Sequence, residues 1–338
     1  MDNDREIICS RIVVIDSEFN AKMGRGERPG PPVCICAIEI DQDGHEIEHR
    51  LAAPYSQRPP WERRDPFLTV GFALSAEAGS MMHVGWPFPL PAVDLYAEYM
   101  VVHNTEMTRP DGGKVPGPTL LNACKRYGVT GMDKAQKDDM RALAYTKLNH
   151  SPDEIGLLQN YCIEDCRQTL NLFRAMLPRI DLLRSPIRAA FMMEIERVRW
   201  RGIPIDVPIY DQAERRAPKA MLKLQEELNL KLGTEVYFGG VFKRATMLRL
   251  MRQNSIPIPL DPKTKQESCA TKLIKGMTET YPLLKEFYED KRMIDALRSL
   301  KLEIGSDGRN RSWLNPFGTK TGRNNPSTNR ALFSTVPP

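Results

Sequence analysis

The stretch Ile12-Val13-Val14-Ile15-Asp16-Ser17-Glu18-Phe19 decides how the first half of this chain folds. Its four consecutive β-branched apolar residues are typical of a strand that is buried on both faces. Side chains alternate along a strand, so Asp16 and Glu18 should point to the same face of the sheet. Buried carboxylates this close raise each other's pKa unless a cation neutralises them, and oxygen ligands suit Mg²⁺ or Mn²⁺. The stretch alone is equally compatible with an ordinary strand that runs into a polar turn.

The composition indicates a soluble globular chain with room for two domains, since 338 residues include 41% apolar and 27% charged residues. The net charge of +5 permits a nucleic-acid partner without requiring one, and basic residues concentrate between Arg309 and Arg330. No apolar stretch approaches the ~20 residues of a membrane span, and the acidic start does not resemble a signal peptide. Seven cysteines without a CxxC pair favour reduced thiols in the cytoplasm. Cys162 and Cys166 have no Cys or His nearby in the sequence to complete a zinc set, which favours packing thiols.

The region between residues 30 and 100 offers two more carboxylates for the same site. Strands are predicted at 32–40, 45–51, 67–74 and 93–95, and a short helix at 76–83. Ser75 is a predicted cap of that helix, which places Glu77 in its first turn. Glu77 then either complements the helix dipole or stands beside Asp16 as a third metal ligand, and Asp94 competes for that position.

The later part of the chain is predicted to be mostly helical. Helices are predicted at 119–127, 134–148, 153–176, 187–201, 208–232, 242–253, 270–279 and 282–303. Tyr161 and Asp165 lie four residues apart on one of them, so they project from one face. Such a pair is ordinary on a helix surface, but it gains weight from the D-x-E strand and Glu77. Ser185-Pro186 suggests a domain boundary, with domains at 1–184 and 185–338.

Together these motifs resemble family A (pol I-type) DNA polymerases, in the version common among bacteriophages. Residues 10–180 resemble the 3′→5′ proofreading exonuclease domain of the DEDD class, tyrosine subgroup. Asp16 and Glu18 match its D-x-E motif, and Tyr161 and Asp165 match its Y-x-x-x-D motif. Glu77 stands where the second motif usually has an Asp after an Asn, and that Asn is missing. Residues 187–206 resemble the segment that joins exonuclease to polymerase. Residues 305–334 resemble the Arg-rich stretch before the palm motifs.

The resemblance implies an RNase H-like mixed sheet flanked by helices, an α/β fold, followed by a mostly helical, thumb-like region. It implies two Mg²⁺ or Mn²⁺ ions held by the four carboxylates and a water oriented by Tyr161. It also implies single-stranded DNA 3′ ends and primer-template as partners. The match to Thr321-Gly322-Arg323 suggests Arg323 as a DNA contact, and the aromatic Phe19 and the basic residues Arg309 and Arg311 are further candidates.

Palm and fingers motifs do not follow in the sequence, and all five histidines lie at or before His150. We therefore expect no polymerisation from these residues alone, and either a fragment or one half of a split polymerase whose palm and fingers are on a separate chain. If phage-encoded, the protein is expected in the bacterial host cytoplasm. Because the second motif is altered, a catalytically silent exonuclease-like module that binds DNA or has a structural role is the alternative. An unrelated RNase H-like nuclease would leave residues 187–330 unexplained.

Overall fold

The computed structural model describes residues 9–20, 24, 26–63, 65–104, 118–132, 134–299, 301–319 and 321–326. The chain forms two compact units. The first contains the described residues up to 203 and those between 304 and 326. The second runs from Pro204 to Glu303. The last part of the predicted Arg-rich stretch, 327–334, lies outside the described residues.

The first unit is built on a five-stranded mixed sheet in the order β3-β2-β1-β4-β5. The strands are β1 (Arg11–Phe19), β2 (Pro32–Asp41), β3 (Glu46–Leu51), β4 (Phe67–Gly71) and β5 (Ala92–Asp94). β1, β2 and β3 pair antiparallel, whereas β4 runs parallel to β1 and β5 parallel to β4. Because parallel strands end at the same edge of a sheet, the carboxyl ends of β1, β4 and β5 lie together.

Helices flank this sheet, so the predicted α/β fold is confirmed. They are α1 (Ser75–Val84), α2 (Leu95–Val102), α3 (Leu120–Arg126), α4 (Lys134–Thr146), α5 (Pro152–Met176) and α6 (Ser185–Arg201). One core lies between α5 and the sheet face that carries Val14, Cys36 and Ile38. The opposite face carries Val13 and Ile15 and packs against residues of α1 and α6. Ser151 caps α5 through a capping box with Glu154, with Pro152 in the first turn, as its sequence predicts.

The second unit is mostly helical, as predicted. It contains α7 (Val207–Leu232), α8 (Arg244–Gln253), α9 (Thr271–Ile274) and α10 (Pro282–Ser299), with the short strands β7 (Tyr237–Phe238) and β8 (Val241–Phe242). Its core gathers apolar side chains from α7, α8 and α10, among them Leu228, Met247 and Phe287. The remaining short strands of the chain are β6 (Ile203–Pro204), β9 (Arg309–Asn310), β10 (Leu314–Asn315) and β11 (Asn325–Pro326).

The compact units divide after Ile203 and not at the boundary that Ser185-Pro186 suggested. The reason is that α6 packs on α1, α2 and β5, so it belongs to the first unit, and Pro186 merely occupies its first turn. Within the described ranges, no helix combines the length and the apolar character needed to cross a bilayer.

Candidate active site

Asp16 and Glu18 lie within β1, near its carboxyl end at Phe19. In the register of β1 and β2, Asp16 lies opposite Cys36 and Glu18 opposite Cys34. Both carboxylates therefore point to the sheet face that α5 covers, because cross-strand partners share a face. Glu18 is only 9% exposed. The predicted placement of the two residues on one face is what the structure shows.

Glu77 reaches the same site from α1. It is 4% exposed, and the negative charge of Asp16 acts on it more strongly than that of any other neighbouring carboxylate. α1 begins directly after the turn that ends β4, where Ala73 has a φ of 67°. Gly71 permits this turn because a Cβ there would lie 2.3 Å from Leu74 Cδ2. The end of β4 and the tight turn after it thus place Glu77 at the edge of the sheet where β1 ends.

Asp94, the competing candidate, has a different role, because its carboxylate is occupied by backbone amides. Oδ1 accepts hydrogen bonds from the amides of Tyr96 at 2.9 Å and Ala97 at 3.1 Å, which caps α2. The amides of Ala73 and Leu74 donate to Oδ1 and Oδ2 at 3.2 and 2.7 Å. Leu74, not the predicted Ser75, is the capping position of α1, and Asp94 serves its amide. Asp94 therefore fixes the turn that positions Glu77.

Tyr161 and Asp165 reach the site from α5, which packs on β1 and β2. Both are buried, at 5% and 8% exposure, and Asp165 acts electrostatically on Asp16, Glu18 and Tyr161. The i, i+4 spacing read from the sequence holds because α5 is continuous through this region. The structure thus brings together all five residues predicted to be catalytic.

Burial and mutual repulsion perturb these groups strongly. Burial, followed by the charge of Asp165, raises the pKa of Asp16 to about 7. The pKa values of Glu18 and Glu77 are raised well above their usual range by burial and then by Asp16. Burial also raises the pKa of Tyr161, so its phenol stays protonated near neutral pH. Carboxylates with pKa values shifted in this way, as those of Asp16, Glu18 and Glu77 are, are typical of a functional site.

Two carboxylate oxygens at this site are buried without a hydrogen-bond partner in the described part of the chain. They are Asp16 Oδ2 and Glu77 Oε2. A buried carboxylate oxygen without a partner is costly, and a hard divalent cation is the partner that it suits. No three of the four carboxylates, among the described residues, place oxygens within 4.8 Å of one another, so they do not form one compact cage. The donor set fits Mg²⁺ or Mn²⁺ shared with water or substrate oxygens.

α4 turns a cationic face toward this site, which was not predicted from the sequence. The Lys137 ammonium donates to Asp165 Oδ1 at 2.7 Å, and the residue is only 3% exposed. One turn later the charge of Arg141 partly opposes the rise in the pKa of Glu18, and the next turn brings Tyr145 beside Phe19 with ring centroids 6.2 Å apart. The spacing 137, 141 and 145 is a helical stripe of two basic residues and one aromatic, a signal that was present in the sequence.

Buried thiols line the site between β2 and α5. The Sγ atoms of Cys34, Cys36 and Cys162 all lie within 4.8 Å of one another. The fold therefore supplies Cys162 with thiol neighbours that are distant in sequence, which the sequence analysis did not anticipate. Hydrogen bonds, first from Cys162 and then from Cys34, lower the pKa of Cys36 to about 5. The Cys162 thiol also hydrogen-bonds Asp16 and favours its ionised form.

The four residues predicted to contact DNA differ in what they offer. Arg323 is exposed, and its backbone amide donates to Thr319 Oγ1 at 3.0 Å. Arg309 is partly exposed, and its Nη1 donates to the carbonyls of Arg201 and Gly202.

Arg311 is 5% exposed, and its guanidinium donates to Trp200 O, Gly26 O and the Asp307 carboxylate. Its guanidinium therefore ties the chain together and is not presented to a DNA backbone, which corrects that prediction. Phe19 is partly exposed at the end of β1.

Comparison with known proteins gives a likeness of fold. No protein-family model matches this chain, and no curated protein matches it in sequence. Among solved structures, the chain is similar to the polymerase domain of Pol1 from M. smegmatis, determined in complex with DNA primer-template and dNTP. The sequence identity is 13%, the TM-score is 0.60, and the match covers 96% of this chain. This chain spans about half (52%) of that structure. The TM-score shows that the fold of this chain is like that of a family A Pol I polymerase domain.

Proposed function

We propose that this chain is a metal-dependent 3′→5′ exonuclease portion of a family A DNA polymerase, which hydrolyses the phosphodiester bond at DNA 3′ ends. The observation that carries the proposal is the pair of buried, unpartnered oxygens, Asp16 Oδ2 and Glu77 Oε2, in a site that also holds Glu18 and Asp165. The pol I-like fold over 96% of the chain supports the polymerase relation, although a fold alone does not specify chemistry.

The residues of the site have separable roles in this reaction. Asp16, Glu18, Glu77 and Asp165 would hold Mg²⁺ or Mn²⁺, two ions by the family resemblance. When bound, such ions neutralise the scissile phosphate, lower the pKa of the attacking water and stabilise the leaving oxygen. Tyr161, kept protonated by burial, orients that water through its phenol and does not act as a base.

The substrate that suits this site is a single-stranded or frayed 3′ end. Phe19 and Tyr145 form an aromatic pair next to Glu18 on which an unpaired base can stack. Arg323 and Arg309 are proposed to contact the backbone of primer-template DNA. We place the reaction in the cytoplasm, consistent with seven free cysteines.

The second candidate function is a catalytically silent module that binds DNA. The ion pair between Lys137 and Asp165 favours it, because an ammonium already neutralises one of the four carboxylates. The unpartnered oxygens of Asp16 and Glu77 favour the active enzyme, since a silent site has no reason to retain them.

The deciding experiment is digestion of a 5′-labelled single-stranded oligonucleotide with Mg²⁺ or Mn²⁺. Wild type is compared with Asp16→Asn and, as a matched control, with Asp43→Asn, whose carboxylate is exposed in the turn after β2. We expect a 3′→5′ ladder from wild type and Asp43→Asn, and a rate at least ~100-fold lower from Asp16→Asn. Folded wild type that leaves the oligonucleotide intact with either metal contradicts the exonuclease and supports the silent module.

A further inference from the structure

The four carboxylates of the candidate site are not equivalent. Asp165 has an internal cationic partner, because Lys137 Nζ lies 2.7 Å from its Oδ1. Asp16 and Glu77 each keep a buried oxygen that has no partner in the described part of the chain. Within the described residues, the protein itself therefore supplies a cation to Asp165 and no hydrogen-bond partner to Asp16 Oδ2 and Glu77 Oε2.

Lys137 is held in this position by the packing of its helix. α4 contacts β1 and α5, and Ala144, two turns from Lys137 on the same side of the helix, is fully buried in the core under the sheet. The ammonium is buried with its stem, so it cannot reach water while α4 stays in place. A buried ammonium requires a paired carboxylate, and breaking such a pair is strongly unfavourable.

From this asymmetry we propose that Lys137 permanently replaces one of the two divalent ions, so that the site binds a single Mg²⁺ or Mn²⁺ at the unpartnered oxygens of Asp16 and Glu77. The inference rests on the proposed function, because it concerns the same site. Its physical basis is charge: a divalent ion on Asp165 would share the carboxylate with an ammonium 2.7 Å from one of its oxygens. Two positive charges that share one carboxylate and are shielded from water repel strongly. Lys137 thus supplies a fixed positive charge, while the exchangeable ion supplies the other.

The test is the number of Mn²⁺ ions bound per chain, measured without DNA from the loss of the free-ion electron paramagnetic resonance signal. The full chain is titrated as wild type, as Lys137→Gln and as Lys137→Met. Gln keeps a neutral donor for Asp165, so it guards against loss of folding in the Met variant. Lys134→Gln is the matched control, because Lys134 is exposed on the same helix.

We expect one ion in wild type and Lys134→Gln, and two in Lys137→Gln or in Lys137→Met. Two ions in wild type would overturn the inference, and a digestion ladder from the same preparation would show that the exonuclease proposal survives. One ion in every folded variant would also overturn it, because Lys137 would then not occupy a second position. No bound ion in wild type, together with no ladder, would contradict the exonuclease itself.

Discussion

Much of the electrostatic cost of the site falls on the carboxyl group of Asp16. Burial and the charge of Asp165 raise its pKa, whereas the Cys162 thiol and the Lys137 ammonium lower it. The balance leaves its pKa at about 7, against 3.8 for an ordinary Asp. In the absence of metal, the folded state therefore holds a proton on Asp16 that the unfolded chain releases well below neutral pH.

That difference predicts how the stability of metal-free protein depends on pH. Since the folded pKa is raised, the stabilising contribution of the protonated Asp16 is complete below about pH 4 and is lost as the pH rises to about 7. We expect the Tm in EDTA to fall between about pH 5 and about pH 8, and to fall less in Asp16→Asn. Differential scanning calorimetry measures this, and equal slopes for the two proteins would contradict the assignment.

Mg²⁺ should reverse the trend, which provides an internal control. A cation that binds only the ionised carboxylates stabilises the folded state more at high pH than at low pH. The Tm gain on adding Mg²⁺ should therefore grow across the same interval in wild type and be much smaller in Asp16→Asn.

At the scale of elements, α6 is joined to α2 by a buried ion pair. Arg188 donates to both Glu98 carboxylate oxygens, from Nε at 2.6 Å and from Nη2 at 2.7 Å, and the Glu98 side chain is 1% exposed. This bidentate geometry is the strong form of such a pair. It helps to hold α6 in the first unit, beyond the boundary that Ser185-Pro186 suggested.

Removing the Arg188 side chain should be severely destabilising. Arg188→Ala leaves the Glu98 carboxylate buried without its partner, which costs about 3–5 kcal/mol. The matched control is Arg184→Ala, because Arg184 is 73% exposed and pairs with Asp181 at the surface, where such a pair is worth about 0–1 kcal/mol. Urea unfolding compares the two. A loss for Arg188→Ala no larger than for Arg184→Ala would show that the pair does not hold α6.

The elements that the sequence predicted best are those whose residues act locally. β1 and the pair Tyr161 and Asp165 depend on neighbours within a few residues, so alternation and helical spacing are sufficient. The roles of Asp94 and Lys137 depend on partners twenty or more residues away, Leu74 and Asp165, which only the fold brings near. Arg311 is the clearest case, because a basic residue at this position could either contact DNA or hold buried segments of the chain together.

At the scale of the molecule, the chain leaves the first unit at Ile203 and returns to it at Ile304. The returning segment is secured through Arg311 and through Glu27, which accepts a hydrogen bond from the Ser306 amide at 2.6 Å. Gly202 permits this closeness, since it has a φ of 65° and a Cβ would lie 2.9 Å from the Arg311 side chain. The loop around Gly322, with Arg323 exposed, is therefore presented by the first unit.

This arrangement predicts that Arg323 contributes to DNA affinity through charge. Arg323→Ala should weaken binding of a primer-template duplex and reduce the slope of log affinity against log salt by about one, because one fewer phosphate contact releases one fewer counterion. Arg323→Lys keeps the charge and should retain the slope. Fluorescence anisotropy at several salt concentrations, in EDTA to prevent digestion, measures both. An unchanged slope for Arg323→Ala would remove Arg323 from the DNA contacts and leave the backbone to other basic residues of the chain.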